Sequence, residues 1–188
     1  MADALKSETE SLYTAPVTVL GIGNVILSDE GFGVRVVEYL AANYDFPDEV
    51  QLIDGGTLGI ELTHYVTGTD KLLIIDSING GKAPGTEFRF TGSDIKAHFA
   101  DKISAHEIGI QDVLTMLELT GRKIPRMTVI GAQPYHIGAG VNLSEPMQKL
   151  LRSTAVRAIE ELESWGISPR PKAASSAVDL STVAEVRL

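Results

Sequence analysis

Four short runs of branched apolar residues, spaced by helix-length segments, constrain this chain more than any other feature. They are Val17–Gly23 (VTVLGIG), Gln51–Gly55 (QLIDG), Lys71–Ile78 (KLLIIDSI) and Met127–Ala132 (MTVIGA). Val, Ile and Leu crowd each run without the alternation of a half-buried strand, so both faces of these strands must be covered. The covering elements are legible between them. Val36, Val37, Leu40, Ala41 and Tyr44 form an apolar stripe along Gly31–Tyr44, the pattern of a helix laid on a sheet. Ser28 and Asp29 read as its start signal, with Asp29 and Glu30 near the positive end of its dipole. Gly59–Val66 predicts a short helix, Ile108–Leu119 one that stops at Gly121, and Ser144–Trp165 a long one.

Thr86–Thr91 (TEFRFT) alternates Phe88 and Phe90 with Glu87 and Arg89. Only the loop Asn79–Gly85 separates it from the third run, too short for a parallel crossover, so it is expected to run antiparallel at an edge. The order predicts an α/β fold: a three-layer αβα sandwich on a twisted five-stranded, mostly parallel sheet with one antiparallel edge strand. A chain of 188 residues with 44% apolar content suffices for one such domain but not for two. Residues 17–166 are expected to form it, after a polar extension over 1–16. Residues 167–188, which begin with a Pro/Ser-rich stretch, are expected to be a loosely ordered tail.

Sixteen Lys and Arg against 25 Asp and Glu give a net charge of −9. A chain this acidic, with scattered basic residues, is a poor nucleic-acid binder and a poor match for an anionic membrane. Met1–Pro16 has neither the basic start nor the apolar run of a signal peptide, and a soluble cytoplasmic protein is expected. Cysteine is absent, which removes disulfides, thiolate metal sites and cysteine nucleophiles. Any metal must therefore meet nitrogen and oxygen.

Ligands of open parallel sheets bind beyond the carboxyl ends of the strands. The Val17–Gly23 run leads on to Ser28-Asp29-Glu30, the next two end at Asp54 and Asp76, the Met127–Ala132 run ends at Gln133-Pro134, and His106 lies in the loop before the Ile108–Leu119 helix. Glu30, Asp76 and His106 would make a three-ligand N/O set for Zn, Ni, Mn or Cd with positions left for water or substrate. Singly, each has an ordinary explanation: a dipole partner, a turn cap and a solvated loop histidine. His136 lies on the same rim in a Gly/Pro loop and fits substrate contact or a plain surface position. His64 and His98 read as helix-surface residues, and Trp165 as core packing. A dinucleotide site fails on spacing: Gly21 and Gly23 open the fingerprint, but Ile26 stands where its third glycine belongs. Ser28 has no neighbouring histidine for a hydrolytic triad.

Read together, these motifs resemble one family. Gly21-Ile22-Gly23-Asn24 followed by Ser28-Asp29-Glu30-Gly31-Phe32-Gly33-Val34-Arg35 is similar to the opening signature of the [NiFe]-hydrogenase maturation proteases. Asp54-Gly55-Gly56-Thr57, Leu73-Ile74-Ile75-Asp76, Ala83-Pro84-Gly85-Thr86, Lys102-Ile103-Ser104-Ala105-His106 and Gly131-Ala132-Gln133-Pro134 follow in the family's order. The resemblance covers about residues 17–165. It implies an aspartic-type endopeptidase that removes the C-terminal peptide of the hydrogenase large-subunit precursor after nickel insertion. Nickel would arrive with the precursor, Zn or Cd substituting in vitro, and Glu30, Asp76 and His106 would contact it. Asp54, on the family's Asp-Gly-Gly acid, would serve catalysis or precursor recognition, with Glu30 and Asp76 beside it. A monomer working on that one protein partner is expected. Glu107 stands where many relatives have Gln, adding a carboxylate beside the ligand histidine. A chaperone that senses nickel in the same precursor without cutting it would use the same rim, and a stand-alone zinc peptidase is a further alternative.

Overall fold

The computed structural model describes residues 15–92, 94–95, 114–116, 119–121 and 123–173. Its centre is a five-stranded sheet built from β1 (Val17–Ile22), β3 (Val50–Gly56), β4 (Lys71–Ser77), β5 (Glu87–Thr91) and β6 (Arg126–Ala132), in the order β3-β1-β4-β6-β5. β1, β3, β4 and β6 run parallel, and β5 pairs antiparallel with β6 at the edge. The expected α/β sandwich and its reversed edge strand are both present.

Successive side chains of a strand point to opposite faces, and here each face has its own core. Val17 and Val19 of β1, Leu73 and Ile75 of β4 and Ile130 of β6 join Phe32, Val36, Leu40, Met147, Leu151 and Leu162 on one face. Leu20 and Ile22, Leu72 and Ile74, and Val129 join Leu62 and Val66 on the other. This double burial explains the unbroken apolar runs. α1 (Phe32–Asn43) and α3 (Glu145–Ser164) pack against each other over the first face. On the second lie a 3-10 turn, Gly59–Leu62, and the single-turn helix α2 (Thr63–Val66), where the sequence predicted one short helix. Ser144 caps α3, its hydroxyl accepting from Met147 N–H at 3.4 Å. Gly121, the expected stop of the helix before β6, has a φ of 70°, and residues 108–113 lie outside the described residues.

Two short segments form a pairing that the sequence does not announce. β2 (Tyr44–Asp45) pairs antiparallel with β7 (Arg170–Pro171). Lys172 follows, donating from its backbone to Asn43 O at 2.8 Å and from Nζ to Ala41 O at 2.6 Å. These are carbonyls of the last turn of α1, which have no partner within the helix, and the cation suits that end of its dipole.

The order fixes where a ligand crevice opens. The connection after β1 leads outward to β3, whereas the connection after β4 leads the other way. The order thus reverses between β1 and β4, the switch point of an open α/β sheet. Among the described residues no helix is long and apolar enough to cross a membrane.

Candidate functional site

β1 leaves the sheet at Gly23, whose φ is 136° and whose N–H donates to Gly56 O at the end of β3, 3.0 Å away. The chain then turns through residues 24–28 into a 3-10 turn, Asp29–Gly31, that runs straight into α1. That turn packs against β4. Gly33 makes the close approach feasible: a methyl group there would overlap the carbonyls of Ile22 and Ile75 at the ends of β1 and β4. Glu30, 8% exposed, thus sits at the switch point with Asp76, the next-to-last residue of β4 and 1% exposed. One oxygen of Asp76 accepts from Ser77 N–H at 2.7 Å, and both acids make further polar interactions.

Asp54 lies on the other side of β1. Gly21 is paired with Asp54 of β3 and with Ile75 of β4. Asp54 and Asp76 therefore stand two strand spacings apart, about 10 Å at the backbone. The β1–β3 register slips at this point, Ile22 pairing with Gly56, so Gly55 is the extra residue of a bulge. Bulges re-aim neighbouring side chains. Asp54 is exposed, and its Oδ1 accepts from Gly56 N–H at 2.9 Å, which fixes the carboxylate's direction.

The rim has two clamps. Gln133, just past β6, accepts at Oε1 from Gly80 N–H (2.9 Å) and Lys82 N–H (3.2 Å) and donates from Nε2 to Asn79 Oδ1 at 3.0 Å. It holds the loop that follows β4. Asp29 is the second clamp, and here the sequence reading is corrected. Ser28 makes no side-chain cap, and the residue capping α1 is Gly31. The Asp29 carboxylate turns away from its own helix and accepts from Tyr135, His136 and Ser144. An acid near a helix start reads as a dipole partner; donors more than a hundred residues away leave no local trace.

The structure brings Glu30, Asp76 and Asp54 to the carboxyl end of three adjacent strands. His106, Glu107 and His98 lie outside the described residues. Among the described residues no three His, Asp or Glu side chains gather so as to hold a metal ion. His136 is exposed on the rim and His64 is exposed on α2. Trp165 is buried in the core, with its indole N–H donating to Glu161 at 2.9 Å.

Comparison with known proteins gives one answer. The family model for hydrogenase maturation proteases matches residues 34–162. The chain is 35% identical over 159 residues to the hydrogenase 2 maturation protease of Escherichia coli, covering 84% of this chain and 97% of that one. It is 40% identical over 158 residues to the hydrogenase expression/formation protein HoxM of Azotobacter vinelandii, covering 82% and 76%. Among solved structures, the hydrogenase maturating endopeptidase HybD from E. coli superposes with a TM-score of 0.80 at 34% identity, over 83% of this chain and 97% of that chain. The [NiFe] hydrogenase maturation protease HybD from Thermococcus kodakarensis gives 0.63 at 28% identity, over 78% and 97%.

Proposed function

The chain belongs to the hydrogenase maturation protease family, and on that premise we propose that it cuts the C-terminal peptide from a [NiFe]-hydrogenase large-subunit precursor once nickel has been inserted. Nickel belongs to the substrate in this reading, and the residues that meet it are Glu30, Asp76 and His106. One observation carries the proposal: the turn holding Glu30 packs against β4, whose end holds Asp76. Carboxylates as buried as these are costly to ionise unless hydrogen bonds or a cation compensate. Two such acids and an imidazole form an N/O set with no soft ligand. It should hold nickel weakly alone and better when the precursor supplies further ligands.

Glu30, Asp76 and His106 would orient the nickel-bearing end of the precursor over the switch point, which brings the scissile peptide to the rim. Bound nickel would supply Lewis-acid polarisation of the carbonyl or a more acidic water. Asp54, exposed and held by the Gly56 N–H, would take a proton from water as general base.

The test mixes the purified chain with nickel-loaded and nickel-free precursor and follows precursor mass. The expected result is shortening of the loaded form alone, lost in His106→Ala. Equal cutting of both forms would end the nickel-recognition claim. Binding without any loss of mass would identify a nickel-sensing chaperone instead.

A further inference from the structure

A carboxylate removed from water must be surrounded by donors. Asp29 is 0% exposed, and its two oxygens receive four hydrogen bonds. Tyr135 N–H (3.0 Å), His136 N–H (2.9 Å) and the Ser144 hydroxyl (2.9 Å) donate to Oδ2, and Ser144 N–H donates to Oδ1 at 2.7 Å. All these donors lie between the end of β6 and the start of α3. The backbone repeats the connection: Ser28 N–H donates to Gly140 O (2.8 Å), Gly140 N–H to Ile26 O (3.0 Å) and Asp29 N–H to His136 O (3.3 Å). One side chain thus ties the β1–α1 turn, the β6–α3 loop and the first turn of α3 into a single lip at the switch point.

The turn being tied is strained. Ser28 has a φ of 55°, a region that serine adopts only when its surroundings over-determine it. The residue following Asp29 is Glu30. We infer that Asp29 is a positioning residue: its carboxylate locks the strained turn so that Glu30 is held at the rim before the precursor arrives. This role rests on the processing function proposed above. Preorganisation of this kind matters because a displacement of about 1 Å in a positioned group costs on the order of 100-fold in rate.

The test uses D29N in the full chain. Asparagine keeps the shape but turns an amide N–H₂ toward donors that need an acceptor. Two measurements run in parallel below the variant's melting temperature: kcat/KM on nickel-loaded precursor, and amide hydrogen exchange across residues 24–31 and 135–144. The expected result is a fall of about 100-fold in kcat/KM, with faster exchange in both segments and unchanged exchange in the sheet. The double variant D29N/E30Q should be no slower than E30Q alone, since groups acting through one another are non-additive. Wild-type kcat/KM in D29N, or strictly additive losses, would overturn the role. If the wild-type chain leaves loaded precursor uncut, the processing function itself falls. Exchange then decides the clasp alone: acceleration in 24–31 supports it, and unchanged exchange overturns it. Should D29N fail to fold, S144A removes only the hydroxyl, and the same acceleration in 24–31 is expected on a smaller scale.

Discussion

Asp54 is the rim acid most open to solvent, and its orientation depends on one backbone donor, Gly56. Replacing the carboxylate by its amide keeps size and removes basicity. Asp54→Asn is expected to lower cleavage of loaded precursor by roughly 10²- to 10⁴-fold, the usual range for a lost general base; turnover of mixed samples measures it. Unchanged cleavage would exclude the role. Residues at this scale were unequally legible in the sequence. Asp54 and Asp76 could be found because they close apolar runs, where a carboxylate is conspicuous, and Glu30 because the first run leads into its turn. Asp29 could not, because its neighbours in sequence suggest a helix start and its partners come from the far half of the chain. Gln133 was visible as a strand-ending residue, but its grip on Asn79, Gly80 and Lys82 was not.

Elements were easier to read than contacts. Runs without alternation gave the four parallel strands to within about a residue, because double burial imposes that composition. Phe88 and Phe90 marked the reversed edge strand, and its short connection gave the direction. β2 and β7 escaped because two residues carry no periodicity, and the β3 bulge escaped because Gly55-Gly56 suits a tight turn equally well. How α1 meets the sheet depends on Gly33, over the carbonyls of Ile22 and Ile75. Backbone cannot yield there as a flexible side chain would. Gly33→Ala is expected to cost about 3 kcal/mol, as overpacking does, read from urea denaturation. Cleavage at a temperature where the variant stays folded should also fall, since lifting α1 moves the turn that carries Glu30.

Across the whole molecule, another buried acid joins elements far from the rim. Glu161 of α3 is 7% exposed and accepts from Arg89 of β5 (2.9 and 3.2 Å), Thr128 of β6 (2.9 Å) and Trp165 (2.9 Å). Burial pushes its pKa upward, but these hydrogen bonds together with the Arg89 charge outweigh that and hold it below the ordinary value of 4.5. A carboxyl shifted downward on folding contributes stability fully above its unfolded pKa and loses it as the pH falls through the folded one. Stability is therefore expected to drop below about pH 4.5, and Glu161→Ala to remove about 3 kcal/mol at pH 7 by leaving buried donors unpaired. Urea titrations at both pH values check this, with a shallower acid loss expected in the variant.

The pairing of β7 with β2 has a directional consequence. α1 starts at the switch point and ends beside β7, while Pro16 accepts from Lys71 N–H at the first residue of β4. The described chain therefore enters and leaves at the pole opposite the carboxyl rim. Held to a surface at Pro16 or at Lys172, the described fold would present Glu30, Asp54 and Asp76 away from that surface.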